Sequence, residues 1–134
     1  MTDKKEYPIP YKTDSIYFQY LVTDYERSKK FYAEILGFEK VWDGGAEVGW
    51  VEFALPVAGA RLGLNINPEA KITQGSGVLT LNMVDLDKTK NYFDKKGIET
   101  TDIVDIPDMV SYFNFSDPDG NRIQVVADPR VTSK

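Results

Sequence analysis

At residues 21–38 the chain reads LVTDYERSKKFYAEILGF, and at residues 82–98 it reads NMVDLDKTKNYFDKKGI. Each stretch contains the end of an apolar strand, an Asp suited to start a helix, an aromatic pair, and a Gly suited to stop the helix. The repeat predicts two similar modules that build one shared site. Aligned residues of the two copies are 61 positions apart, except that one deletion shortens the spacing of the glycines to 60. The pairs are Asp24 and Asp85, Ser28 and Thr89, Phe31-Tyr32 and Tyr92-Phe93, and Gly37 and Gly97.

The composition is that of one globular domain. With 134 residues, 42% of them hydrophobic, the chain can bury a sizeable core. A net charge of -5 argues against nucleic acid, which is held through Lys and Arg contacts to phosphate. The acidity weakly favours a basic ligand, although solubility is the simpler explanation. The chain has no cysteine for disulfide or thiolate chemistry, and no apolar stretch suits a signal peptide or membrane span. A cytoplasmic protein without a membrane partner is expected.

The residues around the repeat extend each copy to a β-α-β-β-β module, which predicts an α+β fold. Apolar residues alternate with period two before each helix, as in a half-buried strand. Asp24 is expected to cap the first helix, and either Asp85 or Asp87 the second. The predicted strands span residues 15–22, 38–42, 49–55, 61–66, 78–84, 101–106, 110–115 and 121–127. The predicted segments are an extended arm (1–14), one domain (15–127) formed by module one (15–73) and module two (78–127), and a tail (128–134).

Two motifs in this order resemble a known superfamily. They are V-x-D-x-x-x-S-x-x-F-Y-x-x-x-L-G-F at residues 22–38 and F-x-F-x-D-P-D-G-N-x-I at residues 113–123. Together with the internal repeat, they resemble the vicinal-oxygen-chelate superfamily, which includes glyoxalase I, bleomycin-resistance proteins, fosfomycin-resistance enzymes and extradiol dioxygenases. The resemblance implies two tandem modules whose mixed sheets curl around a cavity, with helices on the convex side. It also implies a homodimer.

The resemblance divides each strand into a helix-facing and a cavity-facing set. The first set is almost entirely apolar, whereas the second mixes rings, amides and charges, as a ligand-binding surface would. The helix-facing set is Phe18, Tyr20, Val22, Leu62, Leu64, Leu79, Leu81, Met83, Phe113, Phe115, Ile123 and Val125. The cavity-facing set is Tyr17, Gln19, Leu21, Trp50, Glu52, Arg61, Gly63, Asn65, Val78, Thr80, Asn82, Tyr112, Asn114, Arg122, Gln124 and Val126.

The metal centre of the resembled enzymes has no counterpart in this sequence. Those enzymes hold a divalent ion through His and Glu side chains from four strands. The corresponding positions here are Tyr17, a position near Gly63, a position near Val78, and Gln124. The chain contains no histidine, and these four residues are not a useful ligand set for a transition metal. We therefore expect neither a metal nor another cofactor.

Other catalytic arrangements are weakly supported. Glu52 beside Trp50 is a candidate general base, because a buried carboxyl group can acquire a raised pKa. The favoured alternative is a structural ion pair between Glu52 and Arg61 across a hairpin. No Ser-His or Cys-His pair is available for nucleophilic catalysis. The acidic residues of the second motif are interpreted as a turn rather than a calcium loop.

Three functions remain open. The first is a metal-free protein that binds a small molecule in the inter-module or dimer cleft. The expected molecule is aromatic or amphipathic, and a cationic one is included in this hypothesis. The second is a glyoxalase-like lyase, isomerase or dioxygenase with an atypical site, and the third is a structural or regulatory dimer with a vestigial cavity. The predicted ligand-binding residues are Tyr17, Gln19, Trp50, Glu52, Arg61, Asn65, Thr80, Asn82, Tyr112, Asn114, Arg122 and Gln124.

Overall fold

The computed structural model of the chain describes residues 5–133. The first four residues of the predicted arm and the last residue of the predicted tail therefore lie outside the described residues. Residues 5–14 form no regular helix or strand and are exposed. In the described part, none of the helices is long and apolar enough to cross a membrane.

The first sheet is built by the residues around the first repeat. Its strands are β1 (Ile16–Val22), β2 (Glu39–Asp43), β3 (Trp50–Ala54) and β4 (Ala60–Ile66), in the spatial order β1-β4-β3-β2. β1 runs parallel to β4, whereas β2, β3 and β4 form an antiparallel meander. The parallel pair requires a crossover connection, and the helix after β1 supplies part of it.

The first helix starts and stops where the repeat predicts. Asp24 accepts a hydrogen bond from the backbone N of Arg27 at 2.9 Å, so it is the N-cap of α1 (Tyr25–Lys30). The helix continues as a π-helical turn over Phe31–Ile35, after which Gly37 adopts a left-handed φ of 74°. A glycine meets that conformation without steric cost, so the chain can turn back towards β2.

The second sheet repeats this plan. Its strands are β5 (Leu79–Asn82), β6 (Val104–Ile106), β7 (Val110–Ser116) and β8 (Arg122–Ala127), in the order β5-β8-β7-β6. Helix α3 (Leu86–Lys95) is capped by Asp85, which accepts from the backbone N of Lys88 at 3.0 Å. The result is the predicted α+β fold of two four-stranded mixed sheets, which are curled but not closed.

The core lies between each sheet and its helix, and it confirms the predicted helix-facing set. Nine of those twelve residues are buried, and Phe18, Leu81 and Met83 are half-buried against the same cluster. The aromatic residues of the repeat take part in this packing, since the Tyr32 ring contacts that of Phe53, and the Phe93 ring contacts that of Phe115. Each fully buried large apolar side chain contributes about 1.5–3 kcal/mol, so the burial of this set stabilises both modules.

The structure differs from the sequence predictions at two places. A short helix that was not predicted, α2 (Gly45–Val48), follows β2 and is bounded by left-handed φ values of 78° at Gly45 and 77° at Gly49. The strand predicted over 101–106 is confined to Val104–Ile106. Before this strand, the Thr101 hydroxyl accepts a hydrogen bond from the backbone N of Asn114 at 2.8 Å. A side-chain oxygen thus replaces the backbone carbonyl that would accept this bond in a regular β-ladder.

The turn of the second motif joins the two modules. Asp117 accepts from the Tyr32 hydroxyl at 2.7 Å and from the side-chain amide of Asn121 at 2.9 Å, and the same amide donates to the backbone O of Leu21. Asp119 accepts from the backbone N of Thr23 at 3.0 Å. Asp119 also pairs with the Arg27 guanidinium at 2.9 Å, and the backbone N of Gly120 donates to the backbone O of Asp117 at 2.9 Å, as in the predicted turn. We call this set of contacts the seam.

Candidate ligand-binding site

Six of the predicted site residues lie on the open face of the first sheet, the face turned away from its helix. Strand register brings them into neighbouring positions, because Tyr17 is paired with Arg61 across β1 and β4. On the adjoining pair of strands, Trp50 is opposite Asn65. The six residues of this group are Tyr17, Gln19, Trp50, Glu52, Arg61 and Asn65.

The Trp50 indole covers Gly63 in the centre of this face. A Cβ atom added to Gly63 would lie 2.2 Å from the ring atoms Cη2 and Cζ2 of Trp50, well inside any real contact distance. By the resemblance, the carboxylate position of the metal enzymes is expected near Gly63. An aromatic ring therefore fills the space in which the chelating side chain would begin.

Glu52 is already engaged by its neighbours on the open face. Its carboxylate accepts from the Trp50 ring N–H at 3.3 Å and lies 3.6 Å from the Arg61 guanidinium, so the structure contains the predicted ion pair. The Glu52 side chain is 15% exposed, whereas that of Arg61 is 37% exposed. Because its oxygens face two neighbouring side chains, the geometry of Glu52 is that of a structural ion pair rather than of a free general base.

Sequence reasoning missed one aromatic residue on this face. Trp42 lies opposite Glu52 in the β2–β3 register, because a β-bulge shifts the pairing between Lys40 and Trp42. Its indole packs over Gly44, where an added Cβ would lie 2.5 Å from the ring, and the residue is 50% exposed. Simple alternation cannot assign a face beyond a bulge, so no clear sequence signal was available.

The other six predicted residues lie on the second sheet, and their contacts are with one another or with backbone. Gln124 donates from its side-chain amide to the Asn114 side chain at 3.2 Å, and the Thr80 hydroxyl donates to the backbone O of Val78 at 3.2 Å. Tyr112 is paired with Val126 across β7 and β8. The residues of this group are Thr80, Asn82, Tyr112, Asn114, Arg122 and Gln124.

The twelve residues do not surround one enclosed cavity within a single chain. Four of them divide between other surfaces: a cavity of about 670 Å³ beside Asp117 includes Asn114 and Arg122 in its wall, and a separate cavity of about 700 Å³ includes Thr80 and Asn82. Neither of these two cavities is lined by Trp50. The open face of the first sheet is instead a shallow, exposed surface, on which Tyr17 is 57% exposed.

The pKa shifts at the seam, and at Tyr20 beside it, follow from burial and hydrogen bonding between the modules. Burial raises the pKa of Tyr20 to about 12, against the opposing effect of the Leu79 amide, so its hydroxyl stays protonated and donates to the Arg122 carbonyl at 2.6 Å. Burial and the Asp117 carboxylate together raise the pKa of Tyr32 far above its ordinary value. Although burial opposes it, the hydrogen bonds from Thr23 lower the pKa of Asp119, which stays ionised.

The residues at the four expected metal positions do not fit a metal ion. They form two pairs with the spacing of the repeat, Tyr17 with Val78 and Gly63 with Gln124. A phenol, an alkyl group, a hydrogen atom and an amide are not a donor set for Zn, Mn, Ni or Fe. Within residues 5–133, no group of three or more His, Cys, Asp or Glu side chains could hold a metal ion.

The fold class of this chain is therefore that of two tandem β-α-β-β-β modules, in which one sheet face is left open. The sequence profile of the Glyoxalase/Bleomycin resistance protein/Dioxygenase superfamily matches residues 16–125, and the chain belongs to that superfamily. No functionally curated protein is recognisably similar to the chain.

Solved structures with this fold include binding proteins and enzymes. TnmS3, an antibiotic binding protein from Streptomyces sp. CB03234, is 27% identical, with a TM-score of 0.73 over 92% of this chain and 99% of that one. A glyoxalase/bleomycin resistance protein from the same organism is 30% identical, with a TM-score of 0.65 over 83% and 97%. Lactoylglutathione lyase from Agrobacterium tumefaciens is 19% identical, with a TM-score of 0.71 over 87% and 94%, and its likeness concerns the fold alone. The fold therefore does not separate binding from catalysis.

Proposed function

We propose that this protein binds an aromatic or amphipathic small molecule on its open face without a metal ion. The observation that carries the proposal is the Trp50 indole lying over Gly63, near the position where the resemblance to metal-dependent enzymes implies a carboxylate. Because Gly63 has no side chain, it cannot be a metal ligand, and it leaves space for the Trp50 ring to form an aromatic surface. Flat aromatic surfaces bind rings by stacking, whereas they contribute nothing to chelation.

The charges and rings of the open face favour a ligand with a cationic group. Trp42 and Trp50 both lie on the side of the sheet that carries Glu52, and a cation can contact a ring face and a carboxylate together. Arg61 would have to share the Glu52 carboxylate with such a ligand. The net charge of -5 adds a weak long-range attraction for cations.

The ligand cleft is proposed to be completed by a second copy of the chain. A single chain leaves large aromatic and aliphatic side chains exposed on or beside its open faces, including Tyr17, Leu21 and Trp42. Exposed aromatic and aliphatic side chains of this size are enriched in interaction sites. A homodimer in which one open face covers another would convert two shallow surfaces into enclosed clefts. A cytoplasmic location is part of the same proposal.

The antibiotic binding neighbour supports a binding role, since it shares 27% of its residues with this chain and almost its whole length. By contrast, a lyase, isomerase or dioxygenase reaction would need a catalytic group at the site. The carboxylate of the open face that lies beside Trp50 is Glu52, and it is held by Trp50 and Arg61. The binding function therefore needs no feature that the site lacks.

Intrinsic fluorescence is a direct test, because the only two tryptophans of the sequence are Trp42 and Trp50. We would titrate the protein with 9-aminoacridine, an aromatic cation, and with 9-anthracenecarboxylate, an aromatic anion of similar shape, and measure bound metal in the same sample. Saturable quenching by the cation without stoichiometric metal is expected, and it should be lost in Trp50→Ala. Stoichiometric bound metal, or equal quenching in Trp50→Ala, would overturn the proposal.

A further inference from the structure

The 700 Å³ cavity, which we call the inter-module pocket, lies apart from Trp50 and Glu52. Its walls come from both modules: residues 35–38 after the π-helical turn, residues 55–57 between β3 and β4, residues 79–83 along β5, and one face of α3. A volume of 700 Å³ falls within the range of pockets that enclose small organic ligands. The pocket therefore has room for a molecule that the open face does not hold.

One wall of the pocket is an unpaired sheet edge. β5 is paired with β8 on one side only, and five consecutive residues from Leu79 to Met83 line the cavity. Apolar and polar side chains therefore alternate along this wall, so Thr80 and Asn82 border the pocket together with Leu79 and Leu81. Free backbone groups at such an edge are available to a ligand.

Hydrogen bonds between the modules hold the pocket open. The Tyr92 hydroxyl of α3 donates to the backbone O of Ile35 at 2.5 Å, and the backbone N of Leu79 donates to the Tyr20 hydroxyl at 3.0 Å. Carbonyl groups at the end of a helix lack intrahelical partners, so the Ile35 carbonyl is free to accept this bond. A pocket anchored on two sides is largely preformed, which reduces the entropic cost of binding.

The polar groups of the pocket include a cation at its rim. Lys88 and Thr89 lie at the start of α3, close in sequence to Asn82 at the end of β5, and all three line the cavity. Among the contacts of residues 5–133, the Lys88 ammonium has no ion-pair partner and the Asn82 side-chain amide has no hydrogen bond. The walls farther along the pocket are mainly aliphatic and aromatic, as at Leu36 and Phe93.

We propose that the inter-module pocket binds a small amphipathic acid. Its apolar body would lie against Leu36, Leu55 and Leu81, and its carboxylate or sulfonate would face Lys88. The ligand class differs from that of the open face, where Glu52 and two tryptophans favour a cation. The proposal rests on different residues from the proposed function, so either one can fail alone.

The test uses a matched pair of fluorescent probes on the full chain. The anion is 8-anilinonaphthalene-1-sulfonate, and the neutral analogue is N-phenyl-1-naphthylamine. Lys88→Gln should weaken binding of the anion about threefold, as expected for one exposed ion pair, and leave the neutral probe unaffected. Lys95→Gln, on the same helix but outside the pocket wall, is the control and should change neither affinity.

Methyl NMR spectra locate the bound probe and separate this proposal from the preceding one. The anion should shift the methyl signals of Ile35, Leu55 and Leu81, while those of Leu21 and Val126 on the open faces stay in place. Val57→Phe, a substitution at an exposed rim position, should reduce these shifts without unfolding the chain. Shifts confined to Leu21 and Val126, or no binding of the anion, would overturn the pocket proposal and leave the open-face site intact.

Discussion

The seam and the open face are both rich in polar and aromatic side chains, but they differ in how those groups are satisfied. At the seam, Tyr32, Asp117 and Asn121 are buried and hydrogen-bonded to one another. On the open face, Trp42 and Tyr17 are at least half exposed. In the described residues, no buried side-chain N or O atom lacks a hydrogen-bond partner. The polar groups of the seam are therefore structural, whereas the exposed rings of the open face are available to a ligand.

The largest effect is expected at the seam, from Asp117→Ala. The substitution removes the acceptor for the Tyr32 hydroxyl, which is left buried without a partner, and one of the two bonds of the Asn121 amide, which keeps its bond to the Leu21 carbonyl. The free energy of unfolding should fall by about 3 kcal/mol, as measured by urea denaturation. Asp102→Ala, at an exposed position, is the control. A loss below about 1 kcal/mol for Asp117→Ala would contradict the structural role of the seam.

A smaller effect is expected from Gly63→Ala, which tests the contact beneath Trp50. The new methyl group would overlap the indole, so the ring must move and unfolding free energy should drop by about 1–3 kcal/mol. The Trp50 emission should shift to longer wavelength as the ring becomes more exposed. Gly75→Ala, where an added Cβ meets no atom within 4 Å, is the matched control. An unchanged emission spectrum would show that Trp50 does not lie on Gly63.

The next largest effect on stability is expected at the ion pair between Arg130 and Asp105, which is more exposed than the hydrogen bonds of the seam. The Arg130 guanidinium and the Ser111 hydroxyl lower the pKa of Asp105 to about 2. A carboxylate with a depressed native-state pKa stabilises the fold above its unfolded pKa, and this stabilisation disappears as the pH falls through the native value. Arg130→Gln should therefore lower the urea midpoint at pH 7 and lose that difference as the pH is lowered from 4 to 2. A difference that persists at pH 2 would contradict the pairing.

The smallest change in stability is expected from Trp42→Ala, because this side chain is half exposed. The free energy of unfolding should change by less than about 1 kcal/mol, whereas affinity for 9-aminoacridine should fall severalfold. Asp117→Ala is the informative comparison, because its main effect should be on the free energy of unfolding rather than on affinity for 9-aminoacridine. If Trp42→Ala unfolds the chain without affecting binding in the folded fraction, the division between seam and open face is wrong.

Much of the fold was predictable from local signals. The capping aspartates, the stop glycines and the period-two strands specify both modules, because each depends on a few neighbouring residues. Trp42 was missed because a β-bulge changes which face the following residues take, and the alternation rule carries no information about bulges. The contacts of Asp117 with Tyr32 join residues 85 positions apart. Such long-range pairing is set by how the modules dock, which the local pattern does not encode.

The residue types of the candidate site were predictable from the sequence, but whether the site forms an enclosed cleft was not. The sequence identified Trp50, Glu52 and Arg61 as neighbours on one face, and register brings them together. It also indicated that the metal positions carry no suitable ligands, because ligand chemistry can be read from residue types alone. Whether two open faces meet depends on the shape of the surfaces and on a second copy of the chain, which no single-chain pattern specifies.

The most direct test of the account is calorimetric titration with a panel of aromatic cations, including 9-aminoacridine, in the presence and absence of EDTA. The proposed open-face site predicts binding by at least one cation, equal affinity with and without the chelator, and loss of that binding in a Trp50→Ala variant that unfolds at a urea concentration close to that of the wild type. Binding that EDTA abolishes, or that Trp50→Ala retains, would contradict a metal-free aromatic site on the open face.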